Sequence, residues 1–596
     1  MKKLMTGNEA IARGAYESGT HFASAYPGTP STEILKNIST YKEIISEWAP
    51  NEKVALESVI GASIVGGRSI AAMKHVGVNV AADPLFTYAY IGVLGGMILV
   101  TADEPGMHSS QNEQDNRTYA SFAKIPMFEP SDSQESKDFI KDAYEISEQY
   151  DTPVLFRVTT RICHSKGIVT LNDRVDVPVK EYKKNVKKNV AVPGNARLAR
   201  HRVEERMVKL QEVSNNCKWN YPIYNSKKIG VITSGSVFEY AREAFGEDAS
   251  YLKLGFTNPL PTTLIEDFAK EVDVLYVIEE NDKYLENHIK AMGIKCIGKD
   301  LFPYCGEMTS DVIKEAVYGK KIETITMSPD KTVGRPPTFC PGCPHRPFFL
   351  ELGKRKNAIV AGDIGCYSLG FSEPYNSIDW IVCMGASFST GHGAQKVLNL
   401  NPDNDKQIVS IMGDSTFFHT GINSLLDVVY NKSNTINIIL DNRITGMTGG
   451  QDNPGTGYSA QGETTEVVDI EGLVKACGVK HVIKLNPNDR LAVKNAFNYC
   501  FDLDEPSVII TDWPCVLKRK YSDDDMESYP NVFQTKFEVI TDKCIGCKLC
   551  LKTGCPPLIL DTETNKVSID RDTCVGCSVC ADVCPTDAIQ LEVNHD

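Results

Sequence analysis

Apolar residues along this chain recur with two different periods. Continuous runs of branched and apolar residues, "QIVSIM" from 407 and "TINIIL" from 435, read as strands buried on both faces of a parallel sheet. Between them "GINSLLDVVYN" keeps helical spacing, so 407–440 is predicted to be a βαβ unit whose strands end in polar turns. Near the start, "HFASAYPGTPSTEIL" predicts a strand, a turn and a helix, with Thr29 as N-cap and Pro30 at the first helical position. The next helix is predicted in "NEKVALESVIGASIVGGRSI", capped by Asn51. From "KKIGVITSG" to about 325, strands such as "VDVLYVIEE" alternate with helical runs and predict a further α/β unit. Residues 181–225 are charged and lack periodicity, so they are expected to be a linker.

Composition narrows the classes. At 596 residues the chain should form three to five domains, and 42% hydrophobic content lets each bury a core. A net charge of -14 gives nucleic acid no electrostatic foothold, and the basic stretch "KEYKKNVKKNV" is only local. The start, "MKKLMTGNEAIARG", has no apolar signal-peptide core, and "YIGVLGGMILV" is too short to span a bilayer. A soluble, cytoplasmic protein without membrane or nucleic-acid partners is expected.

The 19 cysteines are concentrated in C-x-x-C groups. In a chain without an export signal such spacing favours metal or cluster ligation over disulfides. Cys544, Cys547, Cys550 and Cys555 form one run, and Cys574, Cys577, Cys580 and Cys584 another; proline follows each. The second matches the bacterial ferredoxin spacing; the first has one extra residue before its last cysteine. In two-cluster ferredoxins the fourth cysteine of each run serves the other cluster. One [4Fe–4S] cluster is therefore assigned to Cys544, Cys547, Cys550 and Cys584, and the second to Cys574, Cys577, Cys580 and Cys555. Zinc, which prefers pairs of C-x2-C, fits these triplets poorly. Gly546 and Gly576 should let the backbone fold tightly around the clusters.

The strand ends of the βαβ unit carry Gly413-Asp414 and Asp441-Asn442, hard oxygen donors of the kind Mg2+ takes beside phosphates. The pair resembles the thiamine-diphosphate signature, which opens Gly-Asp-Gly and closes Asn-Asn. Ser415 and Asp441 depart from it, though neither removes a metal ligand. That resemblance implies Asp414, Asn442 and the carbonyl of Ile444 as Mg2+ ligands, and a glutamate from a second α/β domain at the aminopyrimidine. Glu52 and Glu57 compete for that role. Glu52 is preferred because it precedes Gly61-Ala62 by nine residues, as in other thiamine enzymes. "GASFSTGHGAQ" from 385 opens a helix whose N–H groups could meet the diphosphate, although close packing explains its glycines nearly as well.

"YPGTPSTEI", "HVGVNVAADP", "MHSSQNEQDNRTYA", "CPGCPHR" and "GDIGCYSLG", in that order and followed by a fused ferredoxin, make the whole chain resemble the 2-oxoacid:ferredoxin oxidoreductases. Within that family it resembles the large subunit of the arylpyruvate type. The resemblance implies oxidative decarboxylation of an aryl 2-oxoacid with coenzyme A, electrons leaving through iron–sulfur clusters to ferredoxin. It also implies a smaller beta subunit, hence a hetero-oligomer. It places Thr29 near the substrate carbonyl, and Cys340, Cys343, Cys366 and Cys515 at a third cluster. Arg117, whose guanidinium can grip a carboxylate twice, and His75 are candidates for substrate or CoA phosphates. The fold class expected is α/β and multidomain: a pyrimidine-binding domain (1–180), the linker (181–225), a transketolase C-terminal-like unit (226–325), a diphosphate- and Mg2+-binding domain (335–525), and a two-cluster ferredoxin (535–596). Three rivals remain: an oxidoreductase for another 2-oxoacid, a non-oxidative thiamine decarboxylase or carboligase with structural clusters, and a non-catalytic electron-transfer subunit.

Overall fold

The computed structural model describes residues 1–319, 328, 332, 336–518 and 536–592. The expected domain ends at 325, 335, 525, 535 and 596 lie outside the described residues. Two compact units make up the chain, Met1–Thr326 and Met327–Asp596. Among the described residues no helix is long and apolar enough to cross a membrane.

The first unit is built on a seven-stranded sheet. Its spatial order is Phe256–Asn258, Met127–Phe128, Val154–Thr159, Met97–Asp103, Ser69–Lys74, Phe22–Ala25, Ile45–Trp48. All neighbours are parallel except the first pair. Strand residues alternate between two buried faces, as a parallel sheet covered on both sides requires. Ile70, Ile98, Val100 and Phe156 pack with Ile11, Phe139 and Ile140. Ala71, Met73, Leu99 and Leu155 pack with Leu56, Val59, Leu85 and Tyr88. A second sheet of four strands follows, Val274–Val277, Ile229–Ser234, Ser250–Leu254 and Tyr221–Ile223, the last antiparallel.

Two local expectations are corrected here. The stretch 181–225 is no bare linker: Pro193–Asn216 is a 24-residue helix. It buries only a narrow stripe, Ala199, Val203, Arg206, Leu210 and Ser214, so few apolar positions mark its period. Secondly, Thr29 does not cap the following helix, which runs Thr32–Ile38 with Ser31 before it. The Gly28–Ser31 turn holds itself instead: Ser31 Oγ donates to the Gly28 carbonyl at 2.8 Å, and Asn8 Nδ2 to the Pro30 carbonyl at 2.7 Å.

The second unit has a six-stranded, all-parallel sheet ordered Trp380–Ile381, Ala358–Gly362, Gln407–Gly413, Ile436–Asp441, Ser507–Asp512, His481–Leu485. The predicted βαβ unit is present, with the helix Ile422–Tyr430 between its strands. Val409, Ile411, Ile438 and Leu440 face Phe348, Phe349 and Phe497; Met412 and Ile439 face Phe388, Phe417 and Leu425. The tail adds two small antiparallel pairs, Phe537–Val539 with Ile589–Leu591 and Leu558–Asp561 with Lys566–Ile569. A doubly wound α/β chain ending in a ferredoxin-like tail is thus the fold class.

Candidate functional site

In the second unit the chain steps from Ala358–Gly362 outward to Trp380–Ile381 and then back to Gln407–Gly413. Ligands collect outside the carboxyl ends of strands at such a reversal. Those ends carry Asp363, Asp414, Asn442 and Cys515. Gly413 closes its strand against the Tyr367 ring, which a Cβ there would meet at 2.9 Å. Asp414 is buried; its carboxylate accepts from Asn453 Nδ2 at 2.9 Å and from the backbone N–H groups of Ser415 and Ile444. Burial nevertheless pushes its carboxyl up. At Asp441 burial, and then the carboxylates of Asp414 and Asp512, do the same. The pocket therefore holds more carboxylate than cation, which is the charge balance a divalent ion would correct.

Asn442 supplies an independent sign. Its Oδ1 is buried and without a hydrogen-bond partner, while its Nδ2 lies 3.4 Å from Nε2 of His345. Burial lowers His345 to about 4, so the ring is neutral and Nε2 can accept. The amide is thereby held by its nitrogen with its oxygen left without a donor, the arrangement a metal ligand needs. Sequence reasoning passed over His345, since only its contact with a residue 97 positions away gives it a role. Asp363 was missed too. It accepts from the N–H groups of Ile364, Gly385 and Ser387 at 2.8, 2.7 and 2.8 Å, and burial lifts it to about 6. Two N–H groups of the Gly385 loop that were candidates for diphosphate are thus taken by Asp363. Packing accounts for Gly391, where a Cβ would strike Ser410 Oγ at 2.0 Å.

The thiols of Cys340, Cys343, Cys366 and Cys515 come within electrostatic reach of one another. Cys515 is tied to the oxygen donors, its N–H donating to the Asn442 carbonyl at 3.0 Å. Burial, then Cys515 and Cys340, raise Cys366 to about 11. Thiols of this kind surrender their protons when an electropositive centre takes them.

In the tail the cysteines of each expected set lie around a cavity of their own. Cys544, Cys547, Cys550 and Cys584 line one small cavity; Cys555, Cys574, Cys577 and Cys580 line another. Gly546 and Gly576 turn the chain there at φ 68° and 75°, a conformation glycine adopts without strain. The N–H of Ala588 donates to Cys584 Sγ at 3.3 Å. Four thiols lining each cavity form the donor set a [4Fe–4S] cluster takes. The second cavity is also lined by Pro341 and Gly342, from the loop between Cys340 and Cys343. A Cβ on Gly342 would stand 2.0 Å from Val575.

In the first unit, Glu52 opens the helix Glu52–Ile64, and the Asn51 side chain accepts from Val54 N–H at 2.9 Å. Glu52 is 6% exposed and lies against Gly77, where a Cβ would come within 2.7 Å of its Cγ and Oε1. Glu57, its rival, points outward and pairs with Lys53 one turn away. Thr29 lies in the turn after the strand Phe22–Ala25, beyond its carboxyl end. Arg117, expected at substrate, is instead consumed structurally. Its guanidinium is 1% exposed and reaches Asp115 at 2.5 Å, Glu279 at 2.8 Å and the carbonyls of Glu280 and Asp282. Burial works against its charge, but Asp115 and Glu279 hold the proton firmly. His75 is likewise buried, its Nε2 3.2 Å from the Asn112 carbonyl.

Family models agree with this division. Residues 13–221 match the pyruvate flavodoxin/ferredoxin oxidoreductase thiamine-diphosphate-binding domain, 363–511 the C-terminal thiamine-pyrophosphate-binding domain of thiamine enzymes, and 567–590 a 4Fe-4S binding domain. Fold and site define a thiamine-diphosphate-dependent oxidoreductase of the 2-oxoacid:ferredoxin class, carrying iron–sulfur clusters. The indolepyruvate oxidoreductase subunit IorA of Archaeoglobus fulgidus is 38% identical over 99% of this chain and 97% of its own. Its namesake from Methanothermobacter marburgensis is also 38% identical, over 99% and 97%. The chain belongs to this IorA family. A looser likeness, at TM-score 0.45 and 19% identity over 53% of this chain and 65% of the other, links it to 2-oxoglutarate:ferredoxin oxidoreductase from Magnetococcus marinus.

Proposed function

We infer that this chain is the large subunit of an enzyme oxidising aryl 2-oxoacids, indolepyruvate and related arylpyruvates, with coenzyme A. The products are the aryl-acyl-CoA and CO2, and ferredoxin accepts the electrons. A smaller beta subunit completes a hetero-oligomer. In this reading Glu52 serves the aminopyrimidine and Thr29 the substrate carbonyl. Asp414, Asn442 and the Ile444 carbonyl, beside Gly413, hold Mg2+ on the diphosphate. When bound, thiamine diphosphate supplies the carbanion chemistry that releases CO2. The cysteine sets supply an electron outlet.

One observation carries the oxidative reading. The Cys340, Cys343, Cys366 and Cys515 thiols adjoin the oxygen donors through the Cys515–Asn442 hydrogen bond, and the Cys340–Cys343 loop lines the Cys555, Cys574, Cys577 and Cys580 cavity. A decarboxylase with merely structural clusters has no use for such continuity. The test is anaerobic purification with a co-expressed small partner and a 2-oxoacid panel. Viologen reduction needing both an arylpyruvate and CoA is expected. Aldehyde formed without an acceptor, or a preference for pyruvate or 2-oxoglutarate, would overturn it.

Two further outcomes follow. With a third cluster the chain should carry about twelve irons, and a count of about eight removes it. Replacing His345 with Phe keeps the ring packed against Tyr367 and Phe339 but removes the acceptor that orients Asn442. Mg2+-dependent retention of thiamine diphosphate should weaken roughly ten- to a hundredfold by calorimetry, while the clusters stay loaded. Unchanged retention would remove His345 from the metal site.

A further inference from the structure

Lys74 ends the strand Ser69–Lys74, next to Phe22–Ala25. Between these two strands the chain reverses its course across the sheet. From Phe22–Ala25 it goes out to the edge strand Ile45–Trp48, then returns on the other side to Ser69–Lys74. A crevice outside the carboxyl ends of such strands is where α/β sheets bind ligands. The Lys74 stem lies along Gly28: a Cβ there would meet its Cγ at 3.2 Å and its Cδ at 3.3 Å. Glu52 is near enough for its charge to act on the ammonium.

The ammonium is poorly compensated. Its side chain is only 12% exposed, its nearest carboxylate, Glu104, stands 4.0 Å away, and Nζ donates to the Ser109 carbonyl at 3.3 Å. Glu104 is already engaged, accepting from Ser109 N–H at 2.9 Å, Ser109 Oγ at 2.8 Å and Ser110 Oγ. An ammonium has three hydrogens to give. Burial lowers the Lys74 pKa, with Glu104 and then Glu52 opposing. A half-satisfied cation at the crevice of a sheet, between the Gly28–Thr29 turn and Glu52, calls for an anion.

We propose that Lys74 anchors the carboxylate of the 2-oxoacid, an assignment that rests on the thiamine-dependent reading above. The neighbours choose between the two available anions. Thr29 and Glu52 are the residues that reading puts at the substrate carbonyl and the aminopyrimidine, so the carboxylate beside that carbonyl is the anion at hand, rather than a phosphate of CoA. A lysine acts as a point charge, without the fixed bidentate geometry of arginine. It holds the acid in the ground state and does not follow it as CO2 departs. Such an interaction shows in KM far more than in kcat.

The test uses the full chain with its clusters, thiamine diphosphate, Mg2+ and small partner. Lys74→Met should raise the arylpyruvate KM about ten- to a hundredfold, with kcat within about threefold and the KM for CoA unmoved. Lys74→Arg should recover most of the loss, which a merely structural role would not produce. In the wild type the arylpyruvate KM should climb as pH rises through the lysine's lowered pKa, because the charged form is the anchor. Lys74→Met should lose that limb. An unchanged arylpyruvate KM in an active Lys74→Met enzyme overturns the assignment, as does a rise confined to CoA, which would move the anion to a phosphate. If the wild type consumes no 2-oxoacid at all, the functional reading itself fails and takes this site with it.

Discussion

Glu52→Gln should cut 2-oxoacid-dependent viologen reduction by about a thousandfold while leaving the melting temperature and the iron content where they were. Glutamine has the shape of glutamate, so the contact with Gly77 survives, and the helix keeps its Asn51 cap. The carboxylate alone is lost. Its side chain is 6% exposed at the first turn of its helix, where the dipole favours the charge by at most about 1 kcal/mol at ordinary sites, and its charge also acts on the Lys74 ammonium. The control is Glu57→Gln. That residue is half exposed and pairs with the exposed Lys53 one turn away, a surface pair of little structural weight. It should leave turnover unchanged. If Glu52→Gln keeps full activity, or if the loss follows Glu57, the aminopyrimidine partner is elsewhere.

The separation of these two glutamates shows what sequence could and could not decide. Spacing to Gly61-Ala62 favoured Glu52, but a glutamate in a first turn is ordinary, and only burial against Gly77 sets the two apart. Parallel strands were legible because both faces are apolar: "QIVSIM" and "TINIIL" became neighbouring strands in register, Val409 opposite Ile436 and Ile411 opposite Ile438. The spacing of the cysteine runs could be read directly, and the fold places each expected set around one cavity. Long-range pairing was not legible. Arg117 has the right chemistry for a carboxylate, and it has two: Asp115 close by in the chain and Glu279, 162 residues on. The helix Pro193–Asn216 was hidden by its charged faces, and Asp363 by an ordinary Gly-Asp turn. Lys74 carries no motif; a sheet reversal and a crowded Glu104 make it notable.

Arg346→Met should loosen the ferredoxin tail from the α/β body, because each buried carbonyl it leaves without a donor costs about 1–3 kcal/mol. Arg346 is 1% exposed, and its guanidinium spans two segments far apart in sequence. One arm reaches Tyr375 Oη at 2.8 Å and the Thr553 carbonyl, in the tail, at 2.7 Å; the other reaches the carbonyls of Phe339 at 2.5 Å and Cys340 at 3.0 Å. No carboxylate pairs with it among the described residues. A buried cation without a counter-charge costs several kcal/mol, so negative charge must come from elsewhere. The thiols that feel it are Cys343, Cys555 and Cys577, drawn from the third cysteine set and from the second tail cavity. Clusters ligated by thiolates are net negative and would supply the balance. Methionine fills the volume and removes both the charge and the four hydrogen bonds. Limited proteolysis should then release the tail with its iron still bound, and turnover should fall because electrons no longer cross the Gly342 contact. Arg346→Lys should fall between, since one ammonium cannot span both segments. A variant with wild-type melting, proteolysis and turnover would show that the tail is held without Arg346, and that its charge has no part in the electron path.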